Sequence, residues 1–258
     1  MIWIGTSGWV YPHWIGPFYP DKLPVRKHLS YYAQHFPTVE MNRSFYRLPT
    51  RDQFHALSQQ TLSHPGFCFA IKASRYLTHM KKLLNAEEGI TRLITAAEGL
   101  GEQLGPFLYQ LPPRWHADPL RLEQFISHLP RNHRAAFEFR DPTWFQPQNV
   151  QILSRILEDA SCALAIAVGG PLPTPLDLPT IGSFGYIRFH NGANGIGLSD
   201  AELTFWAWRL APEAEKGREV FVYFNNDPEA HAIHDALRLR ELLGSLAVPP
   251  TLHTVLPE

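Results

Sequence analysis

The sequence predicts an α/β fold, a single (β/α)8 barrel of the TIM type over residues 1–258, with the helix between strands 6 and 7 missing or irregular. Three observations carry that prediction. Runs rich in β-branched and aromatic residues recur roughly every 30 residues, capped helical patterns separate them, and no composition break or linker marks a second domain. An open doubly wound sheet is the structural alternative, and it would move the site to a switch point.

In order, the strand runs are MIWIGTS, PTVEMNRS, FCFAIKAS, PFLYQLP, AAFEFR, CALAIAV, GYIRFHN and EVFVYFNN. Between them, Thr50 with Gln53 and Ser199 with Glu202 have capping-box spacing, because a hydroxyl at N-cap and a carboxyl or amide three residues on satisfy each other's backbone donors. Asp118-Pro119 and Asp227-Pro228 place an acceptor at N-cap and proline at N1. The link GGPLPTPLDLPTIGS between strands 6 and 7 is too rich in proline and glycine for a regular helix.

Composition excludes several functions. A net charge of −1 argues against a surface coated in basic residues for tight non-specific nucleic-acid binding. No window approaches the ~18 apolar residues of a membrane span, so no membrane partner is expected. The start MIWIGTSGW lacks the basic flank and long apolar run of a signal peptide, which points to a cytoplasmic protein. Cys68 and Cys162 lie in apolar runs without metal-type spacing, as buried free thiols do.

Strand parity then assigns directions. Side chains alternate across a strand, and the outer side lies under the helices, where an unpaired charge is costly. Glu40, Asn42 and Ser44 therefore face the axis, with Lys72, Ser74, Gln110, Glu138, Arg140, Arg188, His190, Tyr223 and Asn225. Strand 6 contributes only Ala163, Ala165 and Ala167, which leaves room. The polar set gathers at the C-terminal strand ends, where barrels of this type place active sites. Its cations, Lys72, Arg140 and Arg188, outnumber the carboxylates Glu40 and Glu138, so an anion would neutralise the cavity. Satisfied internal ion pairs, Glu138 with Arg140 or Glu40 with Lys72, are the structural alternative.

Trp9, Tyr11, Phe45, Tyr46 and Trp144 are expected near the rim, as stacking faces or, for most of them, as a satellite core that plugs the barrel top. The loop SRYLTHMKKLL adds Arg75, Tyr76, His79, Lys81 and Lys82 as a phosphate-backbone contact or a solvated charge run. His13, His79, His116 and His190 show no paired ligand spacing, so a divalent metal is possible but not favoured and no cofactor is specified.

The segments IGTSGWVYPHWIGPFYP, HFPTVEMNRSFYRLP, IKASRYLTHMKKL, LGPFLYQLPP, FEFRDPTWF, YIRFHN and VYFNND closely resemble successive motifs of the domain of unknown function 72 family, the YecE-like proteins. The likeness runs from about residue 2 to 240 and leaves a C-terminal tail at 244–258. It implies a TIM-type barrel with motifs on the strand ends, and no particular reaction. Fold analogy with the endonuclease IV and xylose isomerase barrels suggests nucleic-acid or phosphoester ligands. The chain departs from the family pattern at AIAVGG, where the family has an acid after strand 6, and at NGANGIGLSD, where it has aromatics after strand 7.

Three functions follow as expectations. The first is a phosphate-bearing ligand, a nucleotide or a nucleic-acid phosphodiester, held by Lys72, Arg140 and Arg188. If this is an enzyme, it is a hydrolase with Glu40 or Glu138 as base and His190 as acid or shuttle. The second is a carbohydrate-active enzyme using Glu40 and Glu138, whose origins on strands 2 and 5 threaten to set them too far apart. The third is a binding module without catalysis, using the rim aromatics and the basic loop. The glycines of FHNGANGIGLSDAE are expected to form a rim turn rather than a phosphate cradle. Oligomeric state is not legible in the sequence.

Overall fold

In the computed structural model, which describes residues 1–226 and 228–251, eight parallel strands close in sequence order into a barrel. They are β1 (Ile2–Thr6), β2 (Thr38–Met41), β3 (Cys68–Lys72), β4 (Leu104–Gln110), β5 (Ala135–Glu138), β6 (Ala163–Val168), β7 (Gly185–Phe189) and β8 (Val220–Phe224). Each lies within one of the runs read from the sequence or overlaps it, and β8 returns to β1 along five register pairs.

The helices are α1 (His28–Ala33), α2 (Arg43–Tyr46), α3 (Arg51–Gln60), α4 (Glu87–Ala97), α5 (Pro119–Ser127), α6 (Pro147–Asp159), α7 (Asp200–Glu215) and α8 (His231–Leu243). The capping boxes at Thr50 and Ser199 close the starts of α3 and α7, and Asp118 accepts from the Arg121 amide at the start of α5. The expected Asp227 cap lies outside the described residues, as do residues 252–258 of the tail. Pro228 begins a short 3-10 turn, and α8 starts three residues later.

Helical spacing explains which faces are buried. α4 turns Ile90, Leu93, Ile94 and Ala97 inward, and α7 turns Leu203, Trp206, Ala207 and Leu210 inward. Each fully buried Leu or Ile contributes about 1.5–3 kcal/mol of transfer free energy. No helix joins β6 to β7; the segment 169–184 is instead tied down by Thr174, whose backbone amide donates to Ala167 O at 2.9 Å and whose Oγ1 accepts from Ala167 N at 3.0 Å. Arg209 on α7 donates to the carbonyls of Leu176 and Leu178 in the same segment.

Inside the barrel, Ala70, Leu108, Ala136, Ala163, Ala165, Phe184, Tyr186, Phe221 and Tyr223 form a second apolar cluster, separate from the one under the helices. Parity assigns all the strand members of this cluster to the axial side. The alanines of β6 stand in register with the bulkiest polar chains of the interior, Ala165 beside Tyr186 and Ala167 beside Arg188. Small residues on one strand thus make room for large ones on the next. Gly5 has a comparable role between β1 and β2, because a Cβ there would lie 2.1 Å from Thr38 O. Among the described residues, no helix is long and apolar enough to cross a membrane.

Candidate functional site at the barrel mouth

Above this cluster, a polar network occupies the C-terminal end of the barrel. Arg188, from β7, is its centre. Its Nη2 donates to Glu40 Oε1 at 2.8 Å and its Nε to Glu40 Oε2 at 2.9 Å, while Nη1 donates to Glu138 Oε2 at 2.7 Å. One guanidinium therefore joins a carboxylate from β2 to one from β5. The concern that these two strands hold the carboxylates too far apart is thereby corrected, since both reach the same fork of donors.

Both carboxylates accept further hydrogen bonds. Glu40 accepts from Ser7 Oγ and from the Tyr186 hydroxyl, each at 2.7 Å. Glu138 accepts from Gln110 Nε2 at 2.8 Å and from Arg140. Both glutamates are 0% exposed and Arg188 is 1% exposed. Burial alone would raise the Glu40 carboxyl; the Arg188 guanidinium, with Lys72 and the Ser7 hydroxyl, more than offsets it and holds Glu40 below the usual carboxylate range. The same balance, with Arg188 and Arg140 the main opposing groups, holds Glu138 far lower. Of the two ion pairs considered from sequence, Glu138–Arg140 is present and Glu40 pairs with Arg188 rather than Lys72.

His190 stands at the edge of this network. Its Nε2 lies 2.8 Å from Arg140 Nη2, and a guanidinium can only donate, so Nε2 carries the lone pair and Nδ1 the proton. Nδ1 lies 3.2 Å from the terminal amide of Asn225, which must turn its oxygen to the ring. Burial, then the Arg188 charge, lower the imidazole to about 4, so the ring is neutral at pH 7.

Lys72 differs from the arginines. Its ammonium makes no hydrogen bond or ion pair among the described residues and sits 4.5 Å from the centroid of the Phe45 ring. Burial, then the Arg188 charge, lower it to about 8, against partial compensation from Glu40 and Glu138. Among the described residues of the cluster, three cations against two carboxylates leave one positive charge, and Lys72 is the cation without a carboxylate partner.

These groups surround a cavity of about 430 Å³ lined by Tyr11, Asn42, Tyr46, Lys72, Gln110, Arg188, His190 and Asn225. Glu40, Glu138 and Arg140 stand behind that lining. A neighbouring hollow of about 470 Å³ runs over Phe45, Ser74, Arg75, Tyr76 and Met80, and Tyr46, 81% exposed, borders both.

Other residues expected at the site lie elsewhere. Tyr223 is fully buried below the cavity, where its hydroxyl is 2.8 Å from Thr38 Oγ1. Trp9 packs edge-on against Phe69, a side chain on the helix side of β3. Trp144 is fully buried, stacked on Phe139 with Nε1 donating to Trp115 O, so it belongs to the core and not to the rim. Arg75 faces the adjacent hollow, and His79 sits edge-on to Phe45, lowered to about 4 by burial and by Lys72. Among the described residues, no group of three or more His, Cys, Asp or Glu is placed to hold a metal ion.

Ser7 and Tyr186 were missed as parts of the network. Tyr186 shares the parity of Arg188, and Ser7, just past β1, continues that of Trp3 and Gly5, so alternation points both of them inward. Three amides of the glycine loop are already taken: Gly192 N donates to Ile196 O at 2.8 Å, Gly195 N to Gly192 O at 3.0 Å and Ala193 N to Glu202 Oε1 at 2.7 Å. Those amides are not available to cradle a phosphate.

The closed barrel and its polar C-terminal mouth define a TIM-type barrel protein with an internal charged site. The chain belongs to the DUF72 family, described as proteins of unknown function, whose model matches residues 3–257. It is 26% identical to the UPF0759 protein YunF of Bacillus subtilis over 275 residues, covering 94% of this chain and 95% of that protein. Identity to the UPF0759 protein YecE of Escherichia coli K12 is 29% over 157 residues, 60% of this chain and 54% of that one. Thus the chain spans about half the length of the YecE proteins it matches. Crystal structures of DUF72 proteins from Thermotoga maritima and Enterococcus faecalis share the fold, with TM-scores of 0.80 and 0.79. They are 24% and 20% identical, over 94% of this chain in each case and 99% and 95% of theirs.

Proposed function

We propose that the cavity at the barrel mouth binds a phosphate-bearing anion of the nucleotide or nucleic-acid phosphodiester class. The observation that carries this reading is the Lys72 ammonium, which lines the cavity with three donors and no acceptor among the described residues. Arg140 and Arg188 are committed to buried glutamates, so the surplus charge of the cluster resides on Lys72. A bound anion would neutralise it in a partly desolvated setting, where such pairing is strongest. The cavity volume falls within the roughly 300–1,000 Å³ range of small-ligand sites.

Tyr46 supports the nucleotide class in particular. It borders both hollows, so a phosphate beside Lys72 leaves a base room to lie against Tyr46 and Tyr76, where stacking contributes about 1–3 kcal/mol. A nucleic-acid chain would in addition reach Lys81, whose Nζ stands 5.6 Å from the Tyr76 centroid, and Lys82.

Binding is better supported than hydrolysis. Glu40 and Glu138 are held ionised, each bonded by three residues and 0% exposed, and His190 directs a lone pair at Arg140 rather than a proton at the cavity. Glycoside chemistry requires one carboxyl kept protonated, whereas both glutamates are held ionised. Calorimetry at low salt with inorganic phosphate, a mononucleotide and a short oligonucleotide tests the proposal. Submillimolar binding of at least one is expected; no affinity tighter than about 1 mM for any of them would overturn it.

A further inference from the structure

Resting on that binding site, we propose that Lys72 is a carbonyl-capturing amine: the anionic ligand carries an aldehyde or ketone, and Lys72 Nζ joins it as an iminium.

Placement supports this first. The sequence has six lysines, and Lys72 is the one that lines the barrel cavity; Lys22, Lys27, Lys82 and Lys216 are exposed and Lys81 lies on Tyr76. A lysine kept for structure would pair with Glu40 or Glu138, yet both are already paired with arginines and accept further bonds from Gln110, Ser7 and Tyr186. Among the described residues the ammonium has no hydrogen bond or ion pair; it lies over the Phe45 ring face, 4.5 Å from the centroid, and two guanidinium charges belong to the same cluster. Desolvation and adjacent cations both favour the neutral amine, the form that attacks a carbonyl, and lysine yields its proton to such surroundings where arginine does not. With its ammonium lowered to about 8, roughly a tenth of Lys72 is neutral at pH 7, far more than for a solvated lysine.

The step balances without an added reagent. After losing a proton, Nζ bonds to the carbonyl carbon, and the carbinolamine expels the former carbonyl oxygen as water. In sum, an ammonium and a carbonyl give an iminium and one water, with no electron transferred and the positive charge retained beside the anion.

The test uses the full chain with pyridoxal 5′-phosphate as probe, an aldehyde joined to a phosphate, followed by borohydride reduction and peptide mass spectrometry. The five other lysines are internal references. Lys72 is expected to be labelled about tenfold faster or more than each of them, with inorganic phosphate slowing that labelling. K72R should lose it while the other lysines react as before, with an unchanged urea midpoint showing the fold intact. Labelling of Lys72 no faster than Lys22 or Lys27, in protein that binds inorganic phosphate by calorimetry, would overturn the inference and leave the anion site standing. Failure of phosphate either to bind or to protect would overturn the anion site and this inference together.

Discussion

Arg188 and Glu40 meet as a two-point pair, Nη2 to Oε1 at 2.8 Å and Nε to Oε2 at 2.9 Å, across strands 148 positions apart in the sequence. The third arm of the same guanidinium holds Glu138. Removing it strands two buried carboxylates, and breaking a buried pair costs about 3–5 kcal/mol. R188M is therefore expected to lose at least that much stability in urea unfolding. R188K should recover little, because an ammonium cannot reproduce the planar fork. A variant within about 0.5 kcal/mol of wild type would show that the network does not hold the barrel.

Acid should unfold the protein in two overlapping stages. His190 and His79 are lowered to about 4 in the folded chain, whereas an unfolded histidine titrates near about 6.5. Between those values the unfolded chain binds more protons, so stability falls as pH drops from about 6.5 toward 4. Glu40 and Glu138 are held below the ordinary carboxylate value of about 4.3, so their contribution is present above it and lost as pH falls further. Urea midpoints across about pH 3 to 7 should show H190Q flattening the upper stage and E138Q the lower.

Anion affinity should follow Lys72. The ammonium gives up its proton near 8, so phosphate binding is expected to be strongest below that pH and to weaken above it. K72M should cost about tenfold or more in affinity, the worth of one charge-assisted hydrogen bond. A pH-independent affinity in calorimetry, unchanged in K72M, would place the anion elsewhere.

The two aromatics once grouped on the rim should behave oppositely. W144A removes a fully buried ring and is expected to cost about 3–5 kcal/mol of stability. Y46A removes a side chain that is 81% exposed, so its stability should change by less than about 0.5 kcal/mol. Mononucleotide binding should weaken in Y46A while inorganic phosphate binding holds, a contrast that paired titrations would read directly.

The strands, the caps at Thr50, Asp118 and Ser199, the absence of a helix between β6 and β7, and the inward direction of Glu40, Lys72, Gln110, Glu138, Arg188 and His190 are legible in the order of residues alone. All of these follow from local rules: two-residue alternation, capping chemistry, and the backbone limits of proline and glycine. Trp9 and Trp144 fell outside such rules, since each sits in a loop or 3-10 turn where no periodicity says which way a ring points. That Arg188 rather than Lys72 takes Glu40, and that one guanidinium spans both glutamates, emerges with the folded barrel. Those choices depend on barrel closure, which sets the distances between side chains from remote strands. Closure also leaves Lys72 as the cation without a carboxylate among the described residues, because the arginines, with more donors in a fixed geometry, pair with both acids.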